Sequence, residues 1–280
     1  MQKESKEIKL LQMQQMELDI LKYLKQICEK NGLKYYLAYG TLIGAVRHKG
    51  FIPWDDDMDI MMPRFDYMKL VTILNKEKHP YYKLISIDTE PKFTAPLPKI
   101  IDTRTELTQN YGLKERIKLG VYIDIFILDG VGNSFEEAKS TYDKSYELYR
   151  KWIKADRKML VPGENRIISF ARWIKHFPYK LRDVSYYVRL LDRNNGSKEF
   201  YKNLFVGVLN SGTKIAEKNI WPIEYFGEGE LLLFEDTVFR VPKEFDKILK
   251  SEYGNYMILP PKEKRYSHHC YTLTWRNLDE

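Results

Sequence analysis

The stretch YGTLIGAVRHKGFIPWDDDMDIMMPRFDY, residues 39–67, contains a glycine-bearing turn, a group of aspartates and a short apolar strand in close succession. Gly40 lies where a β-prone segment is expected to turn into a short helix over Leu42–Val46. After a loop, the pattern predicts a strand over Asp57–Met62 and then a helix over Arg64–Asn75. Strand and helix signals on both sides of one acidic cluster indicate a mixed α/β unit.

Four carboxylates, those of Asp55, Asp56, Asp57 and Asp59, fall within five residues. Carboxylates held this close repel one another unless cations or basic partners neutralise them. In an extended strand Asp57 and Asp59 lie on one face, about 7 Å apart, and such a pair can bind a hard cation such as Mg²⁺. A calcium-binding loop is disfavoured because Ile60 stands where its sharp turn needs glycine. The sequence therefore predicts a magnesium site at Asp57 and Asp59.

A further aspartate interrupts an apolar run. The sequence VYIDIFIL, residues 121–128, predicts a buried strand that contains Asp124 and ends in a turn at Asp129-Gly130. A carboxylate inside a buried strand is costly unless it pairs with a cation or binds a metal. If this strand lies beside the strand of Asp57 and Asp59, the three aspartates converge. Three carboxylates are the minimum for phosphoryl transfer with one or two metal ions, in which Asp124 binds a metal or accepts a proton.

Residues suited to binding phosphate accompany the aspartates. Backbone N–H groups of the first helical turn after Gly40, together with the Thr41 hydroxyl, can hold a phosphate. Arg47 and Lys49 bring positive charge to the same loop. Lys99, in the apolar run PLPKII, either reaches solvent or faces an anion. Neither a P-loop nor a dinucleotide-binding glycine motif occurs in the sequence.

The rest of the chain also mixes strands and helices, which places it in the α/β (α+β) class. Apolar residues from Ile8 to Ile27 recur at helical spacing and predict an N-terminal helix that stops at Gly32. Helices are also predicted from Ser134 to about Arg193, with a break near Pro162. We divide the chain into a core with the N-terminal helix over 1–133, a basic, aromatic-rich helical segment over 134–210, and a C-terminal part over 211–280 that completes the core.

Composition limits the class of protein. The 280 residues are 44% hydrophobic and 14% aromatic, which excludes a disordered or fibrous chain. Two cysteines exclude a disulfide framework, and no apolar run reaches the roughly 18 residues that a transmembrane helix needs. The N-terminus has no apolar signal segment, so we expect a cytoplasmic protein.

The net charge of +7 is concentrated in one segment. Residues 139–193 carry 14 Lys and Arg against 6 Asp and Glu, and the remaining residues sum to −1. Basic residues mixed with aromatic ones suit an anionic surface, such as a membrane, a lipid-linked phosphate or a nucleic acid. An ordinary helical region with a solvated basic face and a buried aromatic face explains the same pattern. The sequence leaves both interpretations open.

Residues 39–67 closely resemble the signature of the LicD family, in a long motif of specific spacing. Weaker similarities follow at PKI (98–100), at VYIDIF (121–126) and in the C-terminal part up to His268. The resemblance therefore covers residues 33–130 and about 220–270, and it leaves out the basic middle segment.

The resemblance implies a nucleotidyltransferase-like fold and an Mg²⁺-dependent phosphotransferase, with Mn²⁺ as the alternative ion. Members of the family transfer a phospho-alcohol, typically phosphocholine from CDP-choline, to a sugar hydroxyl of a surface glycan such as a teichoic acid precursor. The related fukutin-like proteins use CDP-ribitol. Carried over to this sequence, Asp57 and Asp59 match the metal-binding pair and Asp124 fits the third carboxylate. The residues expected to bind the nucleotide and its phosphates are Gly40, Thr41, Arg47, Lys49, Lys99 and His268.

Two other functions stay open on the sequence. A GT-A-like glycosyltransferase would use Asp57-Met58-Asp59 as its D-x-D motif to bind a nucleotide-sugar. A nucleic-acid-binding module built on the basic segment would leave the three aspartates without a role, so we expect no nucleic-acid partner. The expected partners are a CDP-alcohol donor, a lipid-linked or soluble glycan acceptor, and a membrane surface that residues 139–193 contact at its inner face.

Overall fold

The computed structural model describes residues 7–109, 113–114, 116–266 and 271–276. Helices and strands are mixed along the chain, which confirms the α/β class. The strands are β1 (Tyr36–Leu37), β2 (Asp59–Pro63), β3 (Tyr82–Ile85), β4 (Lys99–Asp102), β5 (Thr105–Gln109), β6 (Tyr122–Gly132), β7 (Phe205–Val208), β8 (Ile220–Pro222), β9 (Glu230–Phe234), β10 (Thr237–Val241) and β11 (Tyr271–Trp275). The helices are α1 (Leu10–Asn31), α2 (Tyr39–Ile43), α3 (Arg64–Lys76), α4 (Phe135–Asp156), α5 (Arg166–Lys175), α6 (Phe177–Lys180), α7 (Val184–Asn195) and α8 (Phe245–Tyr253).

The main sheet places β6 at its centre. Five strands follow the order β1-β2-β6-β4-β3, β7 pairs with the second half of β6, and β8 pairs with β7. β2 runs parallel to β6, whereas every other pair in this sheet is antiparallel. Two antiparallel pairs, β9 with β10 and β5 with β11, form separate small sheets. This arrangement brings the start of β2 and the start of β6 to the same edge.

The N-terminal helix α1 covers one face of this sheet. Leu21 and Leu24 of α1 are fully buried in one hydrophobic core with Ile60 and Ile125 of the central strands. The helix stops as predicted at Gly32, which takes a left-handed conformation with φ of 63°. Because side chains alternate along a strand, residues next in sequence to these core positions project from the opposite face.

Two local predictions on the central strands are wrong. β2 begins at Asp59, so Asp57 lies in the preceding loop and not on the same strand face as Asp59. The turn predicted at Asp129-Gly130 is also absent, because β6 continues to Gly132. The Asp129 carboxylate is buried there and accepts two hydrogen bonds from the Arg64 guanidinium. Such a bidentate ion pair lets a charged residue continue a buried strand.

The helical segment begins at a side-chain cap. Ser134 Oγ accepts a hydrogen bond of 3.2 Å from the backbone N–H of Glu137 at the start of α4. The four helices α4–α7 occupy the region where helices were predicted, and the break near Pro162 separates α4 from α5. Residues 205–208 of the same segment form β7 in the main sheet. The division of the chain at residues 133 and 210 stays a prediction.

None of the described helices combines the length and apolar character needed to cross a bilayer.

Candidate active site

Three charged side chains lie next to one another across the centre of the sheet. Asp59 of β2 is the ladder partner of Asp124 on β6, and Lys99 of β4 is the partner of Asp124 on the other side. Side chains of ladder partners project from the same face, so these three groups stand in a row. The strands of Asp59 and Asp124 are therefore neighbours, which is the condition for these two aspartates to converge.

The row combines a buried ion pair with an excess of negative charge. Lys99 Nζ donates to Asp124 Oδ1, and both side chains are 12% exposed. Lys99 Nζ also lies 3.8 Å from the centre of the Tyr122 ring. Burial raises the pKa of Asp59 well above its usual value, and the carboxylates of Asp57 and Asp124 raise it further. Negative charge at Asp59 is thus costly unless a cation compensates it.

The loop before β2 gathers three more carboxylates. Oxygens of Asp55, Asp56 and Asp57 all lie within 4.8 Å of one another, and among the described residues they form the one such group of three. Gln14 of α1 holds this loop, because its side-chain amide donates a hydrogen bond of 2.8 Å to the Asp55 carbonyl. The sequence showed the run of aspartates, but the close approach of the three carboxylates depends on how the loop curves.

A buried glutamate on α1 adds to the same negative field, and our sequence analysis missed it. Glu17 is fully buried, and neither of its carboxylate oxygens has a hydrogen-bond partner among the residues that the structure describes. Burial raises the pKa of Glu17 well above its usual value, and the nearby carboxylates, with Asp57 the strongest, raise it further. The signal in the sequence is a glutamate between Met16 and Leu18, within the apolar face of a predicted helix.

The glycine turn packs directly against the acidic loop. A Cβ atom at Gly40 would lie 2.6 Å from Oδ2 of Asp55, so only glycine lets this carboxylate approach the start of α2. Thr41 Oγ1 accepts a hydrogen bond of 2.8 Å from the backbone N–H of Asp59 and thereby fixes where β2 begins. Tyr39, with φ of 46°, makes the sharp bend into α2. The turn therefore positions the Asp55 carboxylate and the start of β2.

A cleft of about 630 Å³ opens beside Asp57 and Asp59. Its positive side contains Arg47, whose Nη1 donates to the Tyr256 carbonyl, and Lys264. Burial lowers the pKa of Arg47, and the neighbouring Arg265 lowers it further. Arg47 and Lys264 line the same cleft as the carboxylates, and a lining of both signs suits a ligand that carries phosphate together with a bound cation. Aromatic side chains complete the cleft, namely Trp54, Tyr253, Tyr256 and Tyr266.

A second pocket, of about 340 Å³, lies on the Asp124 side of the row. Lys99 and Asp124 border it, so the row of charged groups stands between the two cavities. Arg116 contributes positive charge to the pocket and is paired with the buried Asp156. Several aromatic rings also line it: Phe93, Tyr122, Phe126, Tyr149 and Trp152.

Of the predicted phosphate-binding residues that the structure describes, Lys49 and Thr41 are not part of either cavity lining. Lys49 is exposed at the end of the π-helical turn Gly44–His48, and its Nζ donates a hydrogen bond of 3.2 Å to the Val46 carbonyl. His268 lies outside the described residues. Gly40 and Arg47 line the cleft, Lys99 lines the pocket, and Thr41 is buried behind the start of β2.

Comparison with known proteins places this arrangement in a family. The chain is 31% identical over 273 residues to the lipopolysaccharide cholinephosphotransferase LicD of Haemophilus influenzae, covering 94% of this chain and 97% of that protein. The chain belongs to the LicD family. The family described as LicD/FKTN/FKRP, nucleotidyltransferase domain, matches residues 32–169. The human ribitol 5-phosphate transferase FKRP is 44% identical over 39 residues, which are 14% of this chain and 8% of that protein.

The acidic group of this LicD-family protein fits a hard divalent cation. Its donors are carboxylate oxygens, which Mg²⁺ and Mn²⁺ prefer over softer ligands. Burial first, and then the neighbouring carboxylates, raise the pKa of Asp59, and a bound cation would relieve the repulsion among these carboxylates. Which of the aspartates at 55, 56, 57, 59 and 124 coordinate the ion stays a prediction, with Asp57, Asp59 and Asp124 as the expected ligands.

Proposed function

We propose that this protein transfers phosphocholine from CDP-choline to a sugar hydroxyl of a cell-surface glycan, such as a teichoic acid precursor. The observation that carries the proposal is the row of Asp59, Asp124 and Lys99 on adjacent strands between two cavities. One cavity suits the leaving nucleotide, and the other suits the groups that react with it. The similarity to a cholinephosphotransferase along almost the whole chain supports phosphocholine as the transferred group.

The nucleotide fits the larger cleft. Its aromatic side chains offer stacking surfaces for a base, and Arg47 and Lys264 offer positive charge for phosphates. Asp57 and Asp59 border the same cleft and would hold Mg²⁺, or Mn²⁺ as the alternative. A bound ion would neutralise the charge that develops on the phosphate of CMP as the bond between the two phosphates of the donor breaks.

In the proposed reaction, the acceptor hydroxyl oxygen attacks the phosphorus atom that carries choline. The new phosphorus–oxygen bond forms as the bond from that phosphorus to the CMP phosphate oxygen breaks, and CMP leaves. Of the two roles predicted for Asp124, metal ligand and proton acceptor, we assign it the second here, because its carboxylate stands beside Asp59 and borders the smaller pocket, within the row between the two cavities. Lys99 also brings a positive charge close to the transferred phosphate.

The smaller pocket supports choline as the alcohol. A quaternary ammonium group binds against aromatic faces, and Phe126, Tyr149 and Trp152 provide such faces on the Asp124 side of the row. The hydroxyls of a polyol such as ribitol would instead bind polar side chains of the same lining, such as Thr94, Asn210 and Ser211. We also propose that the enzyme works in the cytoplasm, at the inner face of the membrane.

Replacing Asp59 tests the proposal. In Asp59→Asn we expect Mg²⁺-dependent CMP release from CDP-choline with a glycan acceptor to fall about 100-fold or more. The protein should stay folded, because the substitution removes a buried charge whose neighbours repel it. Asp236→Asn is the matched control, since Asp236 is an exposed carboxylate paired with Lys22. Undiminished turnover in Asp59→Asn would reject the catalytic role of this aspartate.

The donor distinguishes the proposal from the rival functions. Turnover of a nucleotide-sugar, without release of CMP from CDP-choline, CDP-ribitol or CDP-glycerol, would indicate a glycosyltransferase. Transfer from CDP-ribitol in preference to CDP-choline would keep the reaction type and correct the alcohol.

A further inference from the structure

The basic segment contains two helices that bury little of their apolar surface. Among the residues of α5, only Ser169 is buried. Its hydroxyl donates to the Met159 carbonyl at 3.1 Å and accepts from the Val161 N–H at 3.0 Å. α5 therefore contacts the rest of the protein through this hydrogen-bonded serine, and its large apolar side chains are exposed to solvent. By contrast, Tyr142 and Trp152 of α4 are buried, as an ordinary helical region would have them.

The exposed apolar side chains form one stripe. Their spacing alternates between three and four residues, which places them on one side of a helix. Only His176, in helical conformation, separates α5 from α6, so the spacing continues from one helix into the next. The stripe consists of Ile167 (80% exposed), Phe170 (46%), Ile174 (52%), Phe177 (49%) and Leu181 (73%). Contiguous apolar surface of this kind is rare on soluble proteins unless something covers it.

The charges beside the stripe are all positive. Between residues 165 and 182 the sequence contains five Lys and Arg and no Asp or Glu. Lys180 is used within the fold, because its Nζ donates to the carbonyls of Ala155 and Arg157 at 2.9 and 2.8 Å. Arg166, Lys175 and Arg182 are exposed and flank the apolar stripe. Trp173, stacked on Phe170 at 6.3 Å between ring centres, adds an amphipathic ring of the type found at membrane interfaces.

We propose that α5 and α6 form an interfacial anchor that lies flat on an anionic phospholipid membrane. The apolar stripe enters the boundary between headgroups and acyl chains, and Arg166, Lys175 and Arg182 contact lipid phosphates. An anionic bilayer is favoured over a second copy of the chain because Arg166, Lys175 and Arg182 flank the stripe and residues 165–182 contain no Asp or Glu. Arg172 is not counted with these three, since it pairs with Glu164 outside this range. The inference does not depend on which donor or acceptor the active site uses.

Sedimentation of the full chain with vesicles tests the anchor. We expect binding to phosphatidylcholine vesicles that contain phosphatidylglycerol, and much weaker binding to phosphatidylcholine alone. Phosphatidylcholine is common to both, so recognition of choline at the active site cannot produce the difference. Each of Ile167→Ser, Ile174→Ser and Leu181→Ser should weaken partitioning about tenfold. Each of Arg166→Gln, Lys175→Gln and Arg182→Gln should weaken it about fivefold, and only on the anionic vesicles.

Controls separate binding through the anchor from non-specific hydrophobic binding to vesicles. Leu231 of β9 is 61% exposed and lies outside the segment, so Leu231→Ser should bind vesicles like the wild type. All these positions are exposed, so thermal unfolding should be unchanged. Equal binding of the wild type to both kinds of vesicle would overturn the proposal, and so would wild-type binding by the triple serine variant, which combines Ile167→Ser, Ile174→Ser and Leu181→Ser. The proposal would also be overturned if the wild type is a dimer in solution and the triple serine variant is a monomer, because the stripe would then join two copies of the chain.

Discussion

Substitution of Lys99 should reveal how strongly the active site depends on one buried cation. Lys99→Met keeps the length and apolar stem of the side chain but removes the charge that neutralises Asp124. Asp124 then stands beside Asp59 with its ion-pair partner gone. We expect Lys99→Met to fold but to be markedly less stable than the wild type.

The size of the loss follows from burial. Both members of the pair are 12% exposed, and removing one partner of a buried ion pair typically costs about 3–5 kcal/mol. At about 2–4 °C per kcal/mol, the lower limit corresponds to a fall in Tm of about 6–12 °C. The assay is thermal and urea unfolding of protein dialysed against a chelator. The double variant Lys99→Met/Asp124→Asn should recover most of the loss, because no uncompensated carboxylate remains at position 124.

Lys83→Met provides the matched control. Lys83 lies on the neighbouring strand β3 and pairs with Glu90 at 3.2 Å, but its side chain is 53% exposed. Such surface pairs contribute at most about 1 kcal/mol. If Lys99→Met loses no more stability than Lys83→Met, or if the double variant is no more stable than the single one, the ion pair does not compensate Asp124 and our reasoning about the row is wrong.

Two further substitutions test the surroundings of the site. Gly40→Ala should change the free energy of unfolding by no more than about 1 kcal/mol, because the new Cβ displaces only the end of the Asp55 side chain. The displaced carboxylate should lower transfer activity at least about tenfold. Gly44→Ala is the contrasting variant and should lower stability, because its Cβ would lie 2.5 Å from the Gly50 carbonyl oxygen. Burial raises the pKa of Glu252 to about 8, so its contribution to stability is present below about pH 4.5 and is lost as the pH rises through 8. Glu252→Gln should therefore gain about 1–3 kcal/mol over the wild type between about pH 5 and pH 9 in urea titrations, and a constant difference across this range would refute the shift.

Local sequence patterns were enough to predict the elements around the site. Apolar spacing predicted α1 and its stop at Gly32, the helices of the basic segment and the strand that contains Asp124. The error at Asp57 arose because strand pairing, which begins at Asp59 opposite Asp124, sets where β2 starts. The error at Asp129 arose because Asp-Gly is a common turn sequence and a charged residue is unusual inside a buried strand. The ion-pair partner that makes Asp129 acceptable there, Arg64, lies 65 residues earlier in the sequence.

Pairings between distant segments could not be predicted from local patterns. Nothing in Thr105–Gln109 or Tyr271–Trp275 alone shows that β5 and β11 pair, since each short strand could join many partners. The same holds for the ion pair of Lys99 with Asp124. From the run PLPKII alone, the lysine side chain could reach solvent or face an anion. Glu17 was overlooked because one charged residue barely changes the periodicity of a long amphipathic helix.

The placement of Glu17 explains why the acidic group is built from a loop, a strand and a helix together. Its fully buried carboxylate has no hydrogen-bond partner within the described part of the chain and lies in the field of the aspartates at 55–57, an arrangement that lowers the stability of the fold. Local conflicts of this kind concentrate at functional sites, where the rest of the structure compensates for them. Here the compensation comes from the core between α1 and the central strands, which keeps Glu17 below the loop. The same repulsion that destabilises the acidic group would favour binding of a cation, because a ligand that binds only the folded state stabilises that state in proportion to its affinity.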